Sequence, residues 1–151
     1  MTEKQNILLA DDNEADLELL KMAFQWAKFN SPVHVVKNGQ EAIDYLQGEG
    51  PYEDRQQYPL PTVLLLDLNM PVVDGFEVLA WLKTQPSLKR LTVIILTVSS
   101  RMEDVERSFD LGAHSFLVKP PSMDELVGMI RCLRDWLKIN HFPDLNKPGR
   151  G

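Results

Sequence analysis

The sequence predicts an α/β protein built on a doubly wound, five-stranded parallel sheet with helices on both faces. Three observations carry that expectation. Short apolar runs recur along the 151 residues: Ile7-Leu8-Leu9-Ala10, Val63-Leu64-Leu65-Leu66, Val93-Ile94-Ile95-Leu96 and Phe116-Leu117-Val118. Parallel strands buried on both faces read this way. Segments with apolar residues at helical spacing alternate with these runs, the signature of βα units with right-handed crossovers. Each run also ends on a polar group: Asp11 with Asp12, then Asp67, Thr97 and Lys119. In one parallel sheet these groups gather at the carboxyl edge, where open α/β folds place their sites.

Each element has its own justification. Residues 6–10 read as the first strand. Residues 14–28 read as a helix with Leu17, Leu20, Phe24 and Ala27 inward. Residues 33–37 are a short strand, and 39–47 a helix that buries Ala42, Ile43 and Leu46. Residues 62–66 form the third strand. Residues 76–84 form a helix with an apolar face of Val78, Leu79 and Leu82, and Pro86 lies just past it. Residues 92–96 are the fourth strand; 102–111 are a helix, with Gly112 suited to its C-terminal cap. Residues 115–118 are the fifth strand. A capping-box pattern, Ser122-x-x-Glu125, introduces the last helix over 123–137. Residues 1–137 thus read as one domain and 138–151 as a short extension. A long polar loop, 48–61, interrupts the alternation.

Composition narrows the function. Hydrophobic residues make up 44 % of the chain, enough for a proper core. A net charge of -6 offers no basic patch for nucleic acid. No run approaches the roughly 20 apolar residues of a membrane span, and the polar start reads as no signal peptide. The single cysteine, Cys132, excludes an intramolecular disulfide and a cysteine-cluster metal site. These features point to a cytoplasmic protein that spans no membrane.

Three carboxylates at one edge repel one another and raise one another's pKa. A divalent cation relieves this; magnesium takes oxygen ligands and is often held by one or two carboxylates together with a phosphate. A carboxylate is also a nucleophile towards phosphorus, and an ammonium and a hydroxyl stabilise charge on the phosphoryl oxygens. Asp11, Asp12, Asp67, Thr97 and Lys119 each have a part in such chemistry. Taken alone, Asp12 has a simpler use as the cap of the helix that follows it.

The stretches Leu8-Leu9-Ala10-Asp11-Asp12, Leu65-Leu66-Asp67-Leu68-Asn69-Met70-Pro71-Val72-Val73-Asp74-Gly75, Ile95-Leu96-Thr97 and Phe116-Leu117-Val118-Lys119-Pro120 resemble the receiver domain of two-component response regulators. The likeness covers roughly residues 5–137. It implies the flavodoxin-like strand order 2-1-3-4-5 and phosphorylation of Asp67 by the phosphohistidine of a sensor kinase. It implies Mg2+ on Asp12, Asp67 and the backbone carbonyl of Asn69, with Asp11 acting through water. Thr97, Lys119 and the Val98 backbone N–H would bind the phosphoryl group. Thr97 and Phe116 would be the conformational switch, and helix 4, strand 5 and helix 5 the output face. Asp74-Gly75 would open the third helix, and the Lys119–Pro120 bond would be cis. By the same analogy Ser99, two past Thr97, would modulate hydrolysis. Receivers usually carry a small residue where this chain has Val98, whose bulk narrows access to Asp67.

The loop at 47–53 and the tail after Trp136 are similar to those of single-domain receivers that partner bacterial phytochromes, which implies a phytochrome-like histidine kinase as partner. A second apolar stripe on the first helix, Leu19, Met22 and Trp26, asks for a cover: a partner, or the tail or long loop folding over it. Trp136 and Phe142 are candidates for that cover or for a homodimer contact. Cys132 reads as a semi-buried small residue; His34, His114 and His141 read as isolated surface polar groups.

Three other readings compete. A pseudo-receiver would keep the fold without the switch, and the full polar set speaks against it. A phosphatase of the haloacid dehalogenase type wants a second acid two residues after its nucleophile, where this chain has Asn69. A Rossmann dinucleotide binder needs glycines that the turn Asp11-Asp12-Asn13-Glu14 lacks.

Overall fold

A computed structural model describes residues 5–146. The elements are β1 (Ile7–Ala10), α1 (Glu14–Trp26), β2 (Val33–Val36), α2 (Gly39–Gln47), β3 (Val63–Leu66), α3 (Gly75–Lys83), β4 (Thr92–Thr97), α4 (Met102–Asp110), β5 (Ser115–Val118) and α5 (Met123–Ile139). All strand pairs are parallel, and the order is β2-β1-β3-β4-β5. The predicted doubly wound sheet is therefore the fold.

Strand alternation sorts the apolar runs onto two faces. Leu8, Ala10, Leu64, Leu66, Val93 and Ile95 face a core completed by α2 and α3. Ile7, Leu9, Val63, Leu65, Ile94 and Leu96 face a second core completed by α1 and α5. Three of the strands are buried along nearly their whole length, which is why they read as continuous apolar runs rather than alternating ones.

Local chemistry sets the helix ends. Asn13 caps α1 by accepting the Asp16 N–H at 2.9 Å, so Asp12 is free of that duty. α1 ends at Trp26, two residues short of the predicted end: Lys28 turns left-handed (φ 56°) and Phe29 N–H returns to the Phe24 carbonyl. Asp74 and Glu77 make a full capping box on α3. Ser122 caps α5, which runs on to Ile139. The Lys119–Pro120 bond, predicted cis, is trans, the isomer that X–Pro bonds favour by about 0.5–1 kcal/mol.

The 48–61 loop has its own structure. The Arg55 guanidinium donates to the carbonyls of Tyr45, Leu46 and Tyr58, closing the exposed end of α2. Tyr45 is buried and donates to the Pro59 carbonyl, with Tyr52 and Tyr58 packed around it. His34 lies half-buried against Tyr45 and Tyr58, not free on the surface as predicted, because α2 presents Tyr45 and the loop brings Tyr58 beside it on β2.

The tail crosses from one core to the other. Phe142 packs edge-on against Trp136 on the α1–α5 side, and Leu145 packs into the α2–α3 core. The Asn146 side-chain amide pairs with the Leu60 backbone, its Oδ1 accepting from the N–H at 2.7 Å and its Nδ2 donating to the carbonyl at 3.0 Å. Neither tail nor loop covers the outer stripe of α1: Leu19, Met22 and Trp26 remain 46 %, 39 % and 53 % exposed. Cys132, predicted semi-buried, is exposed, since α5 turns Ile130 and Leu133 inward and leaves it on the solvent side. Pro148 and the rest of 147–151 lie outside the described residues. Among the described residues, no helix is long and apolar enough to cross a membrane.

Candidate functional site

Strand register assembles the site. Ala10 stands opposite Leu66 in the β1–β3 pair, so Asp11 and Asp67 leave adjacent strands side by side. The Asp67 N–H donates to the Ala10 carbonyl, which extends the ladder into the site. Thr97 stands opposite Val118 in the β4–β5 pair, and the Lys119 N–H donates to the Thr97 carbonyl at 2.7 Å. Four strand ends thereby present three acids, a hydroxyl and an amine to one point.

The side chains meet there. Asp67 is buried, and its Oδ1 accepts from Thr97 Oγ1 at 2.9 Å and from the Asn69 N–H at 3.1 Å. Its Oδ2 accepts from Lys119 Nζ at 3.0 Å. Lys119 Nζ also donates to Asp11 Oδ2 at 2.6 Å and to Asp16 Oδ2 at 2.9 Å. Asp11 Oδ1 is held by the Asn13 N–H at 2.9 Å. Asp12 is exposed on the rim, yet carboxylate oxygens of Asp11, Asp12 and Asp67 lie within 4.8 Å of one another.

Two glycines permit the close approach of the connecting loops. A Cβ on Gly75 would stand 2.4 Å from the Asp67 carbonyl oxygen, and one on Gly39 would stand 2.1 Å from that of Val73. Only residues without a Cβ fit against this segment. Between them, Val72 is left-handed (φ 67°) inside a tight turn that the Val73 N–H closes onto the Pro71 carbonyl at 2.7 Å.

Burial and charge act on the site together. Burial pushes the Asp11 carboxyl above its ordinary value, and the Lys119 contact only partly offsets this. Burial works to lower the Lys119 ammonium as well, but Asp11, Asp67 and Asp16 outweigh it and hold the ammonium above the usual lysine range. The ion pair favours the charged form of both partners; for Asp11, desolvation and the neighbouring Asp67 win. Three carboxylates thus contact one ammonium and Asp12 adds a fourth beside them, a set of hard oxygen donors with excess negative charge that suits a divalent cation. The three strand-end acids fit such an ion in spacing and in donor type.

The remaining predicted residues are spread around this centre. Asn69 is exposed, with its N–H on Asp67. Val98 is exposed just past Thr97. Phe116 is half-buried on β5 against the α2–α3 core. Ser99 does not point towards Asp67: its hydroxyl donates to Asp104 Oδ2 at 2.5 Å and so ties the β4–α4 turn to the first turn of α4. Leu19, Met22 and Trp26 lie on the outside of α1.

Sequence reasoning missed Asp16. An available signal was its place in the first turn of the helix that follows the Asp11-Asp12 strand end, which keeps it beside the site. It also missed Asn13 as the cap, although Asn is among the preferred residues there.

With this fold and this site, the chain belongs to the response regulator receiver domain family, whose pattern matches residues 7–131. Receiver domains bind divalent metal. Response regulator Rcp1 of Synechocystis sp. is 35 % identical over 138 residues, covering 91 % of this chain and 92 % of that one. The crystal structure of its Mn(2+)-bound form superposes with a TM-score of 0.81 at 34 % identity, covering 92 % of this chain and 99 % of that one. The phosphorylated cyanobacterial phytochrome response regulator RcpA matches with a TM-score of 0.84 at 34 % identity, over 93 % of this chain and 99 % of that one. Response regulator RPA3017 in red light signaling of R. palustris matches with a TM-score of 0.86 at 31 % identity, over 92 % and 98 %. The chain is thus a response-regulator receiver related to phytochrome response regulators.

Proposed function

We propose that this chain is a phospho-accepting switch in which Asp67 takes a phosphoryl group from the phosphohistidine of a phytochrome-like sensor kinase, with Mg2+ as the cation. The observation that carries the proposal is the environment of the Asp67 carboxylate. It is buried, bonded by Thr97 and Lys119, and flanked by Asp11 and Asp12. The phosphorylated form of RcpA and the Mn(2+)-bound form of Rcp1 support the same chemistry by likeness.

An Asp67 oxygen attacks phosphorus, and a P–O bond forms as the P–N bond to the donor histidine breaks. The electron pair returns to the imidazole ring, which takes up a proton from water. The Lys119 ammonium and the Thr97 hydroxyl, both already on the Asp67 carboxylate, are within reach of the phosphoryl oxygens and stabilise their charge. The Val98 backbone N–H adds a third donor. Asp11, Asp12, Asp67 and the Asn69 carbonyl would hold the cation, which supplies charge neutralisation on the phosphoryl oxygens. Hydrolysis reverses the loading: water attacks phosphorus and Asp67 leaves as the carboxylate.

The protein acts through partners rather than as a dedicated enzyme. Thr97 and Phe116 carry the switch to the face formed by α4, β5 and α5. There Met102, Phe109 and Val118 are exposed and available to a partner or to a second copy in a homodimer. Leu19, Met22 and Trp26 on α1 suit the kinase. We assign residues 1–137 to the receiver and 138–151 to an extension, in a protein that works in the cytoplasm.

The test is intact-protein mass after incubation with Mg2+ and acetyl phosphate, with Asp67→Asn alongside. One added phosphoryl group in the wild type alone supports the assignment. No gain in either protein moves the chain to the pseudo-receivers, and a gain in both places the acceptor elsewhere.

A further inference from the structure

We infer that Asp16 is a positioning residue that competes with the phosphoryl group for the Lys119 ammonium, and thereby slows the loading of Asp67 and hastens its discharge. The inference rests on the reading of Asp67 as the acceptor and goes beyond it to how fast the switch charges and empties.

An ammonium has three N–H donors and no acceptor. Lys119 Nζ has three carboxylate partners: Asp11 Oδ2 at 2.6 Å, Asp16 Oδ2 at 2.9 Å and Asp67 Oδ2 at 3.0 Å. Its donors are all committed. Its side chain is 8 % exposed, and its backbone N–H is fixed to the Thr97 carbonyl, so the ammonium has little room in which to wander. A bond from Lys119 to a phosphoryl oxygen requires one of the three partners to be released.

The partners differ in what release costs. Asp11 has a side chain that is 1 % exposed, so releasing the ammonium would leave a buried carboxylate without its partner. Asp67 is the group that becomes phosphorylated, and its charge moves outward onto the phosphoryl oxygens, towards which Lys119 must follow. Asp16 has a side chain that is 29 % exposed. It alone of the three can exchange its Lys119 bond for water at small cost. On loading, the donor on Asp67 passes to the phosphoryl group, and the Lys119–Asp16 contact opposes that shift, so its strength is subtracted from the hold of Lys119 on the phosphoryl group.

Asp16 is also well fixed. It is the third residue of α1, its N–H bonded to the capping Asn13. A carboxylate in the first turn of a helix is well placed against the positive end of the helix dipole. It presents a fixed negative charge to an incoming phosphodonor that is itself an anion. Asp11 and Asp67 suffice to keep Lys119 in place without it, so its removal frees a donor and does not set the lysine adrift.

The experiment follows loading with acetyl phosphate and Mg2+, in which acetate leaves with the electron pair of its P–O bond, and then discharge after the donor is removed. Wild type, Asp16→Asn, Asp16→Glu and Asp67→Asn are compared by intact mass over time. Asp16→Asn is expected to load about two- to fivefold faster and to hold the phosphoryl group longer by a similar factor, the worth of a part-exposed ion pair. Asp16→Glu keeps the charge and loads like the wild type. The rise of loading rate with added salt, which reports screened repulsion, is shallower in Asp16→Asn; a role in folding alone would leave that slope unchanged. Thermal melting of both Asp16 variants verifies that they fold. Equal or slower loading by Asp16→Asn, or Asp16→Glu behaving like Asp16→Asn, overturns the role of Asp16 while the Asp67 reading stands. No loading of the wild type overturns both.

Discussion

Val72 stands five residues after the proposed acceptor with a left-handed backbone, φ 67°, and the residue is 78 % exposed. A β-branched residue in that region is a genuine outlier, and such strain costs of order 1–3 kcal/mol. The turn persists because its flanks are fixed. Val73 ties its carbonyl to the Gly39 N–H at 3.0 Å, and Gly75 donates to the Leu68 carbonyl at 3.0 Å. Val72→Gly is expected to raise stability by about 1 kcal/mol, the strain relieved less the added entropy of glycine in the unfolded chain. Urea denaturation checks this, and an unchanged or lower midpoint would show that the turn is not strained. Lys119 supplies the opposite case, a residue held by charge. Lys119→Met leaves buried acids without their counter-ion and is expected to cost about 3 kcal/mol. The folded ammonium is held above its ordinary value of 10.5, so its contribution is fully present below that pH and is lost as pH rises through the folded value. The gap in unfolding midpoint between wild type and variant should stay constant from neutral pH to about 10 and narrow only above it. A gap that closes in the neutral range would contradict the arrangement around Lys119.

At the scale of elements, the loop between α2 and β3 turns on Arg55. Its guanidinium satisfies carbonyls at the end of α2 and in the loop itself, and burial lowers its pKa without threatening its charge. Arg55→Ala is expected to cost about 2 kcal/mol, since buried acceptors lose a charged donor. Faster amide hydrogen exchange across 48–61, with β1 and β3 unchanged, is the measurement. Uniform exchange behaviour would mean that the loop is held by its tyrosines instead. These contacts explain which elements were legible beforehand. The strands announce themselves because a doubly covered parallel sheet demands unbroken apolar runs, and α1, α2 and α3 show their inward residues at helical spacing. The loop and the tail have no such period. Arg55 reaching back to Tyr45, or Asn146 pairing with Leu60 across the molecule, depends on single polar contacts that leave no pattern in the chain. The same holds within the site. Asp11, Asp67, Thr97 and Lys119 were readable because each ends an apolar run and parallel register aligns the ends. Asp16 sits on a helix among other acids and reaches the site only through the side chain of Lys119.

At the scale of the whole molecule, folding drives acids together. The chain carries a formal charge of -6, and the carboxyl edge concentrates Asp11, Asp12, Asp16 and Asp67 around one lysine. In the unfolded chain Asp67 is far from Asp11, Asp12 and Asp16, so the repulsion added by bringing it beside them acts against the native state alone. A cation that binds the folded edge and not the unfolded chain reverses that opposition, by about 2.7 kcal/mol at a hundredfold excess over its dissociation constant. For a domain of this length each kcal/mol moves the melting temperature by about 2–4 °C. Millimolar Mg2+ is therefore expected to raise the melting temperature of the wild type by several degrees, and Asp12→Asn is expected to remove most of that rise. Asp12 is the sharper choice because it is exposed, makes no cap and bonds nothing at the site, so its loss leaves the packing untouched. Calcium and manganese in parallel separate coordination from general screening, since sodium chloride at equal ionic strength screens but does not coordinate. A rise that sodium chloride reproduces, or one that Asp12→Asn retains, would mean that the edge is merely crowded with charge; a rise confined to divalent ions and dependent on Asp12 would mean that the crowding is the template of a metal site.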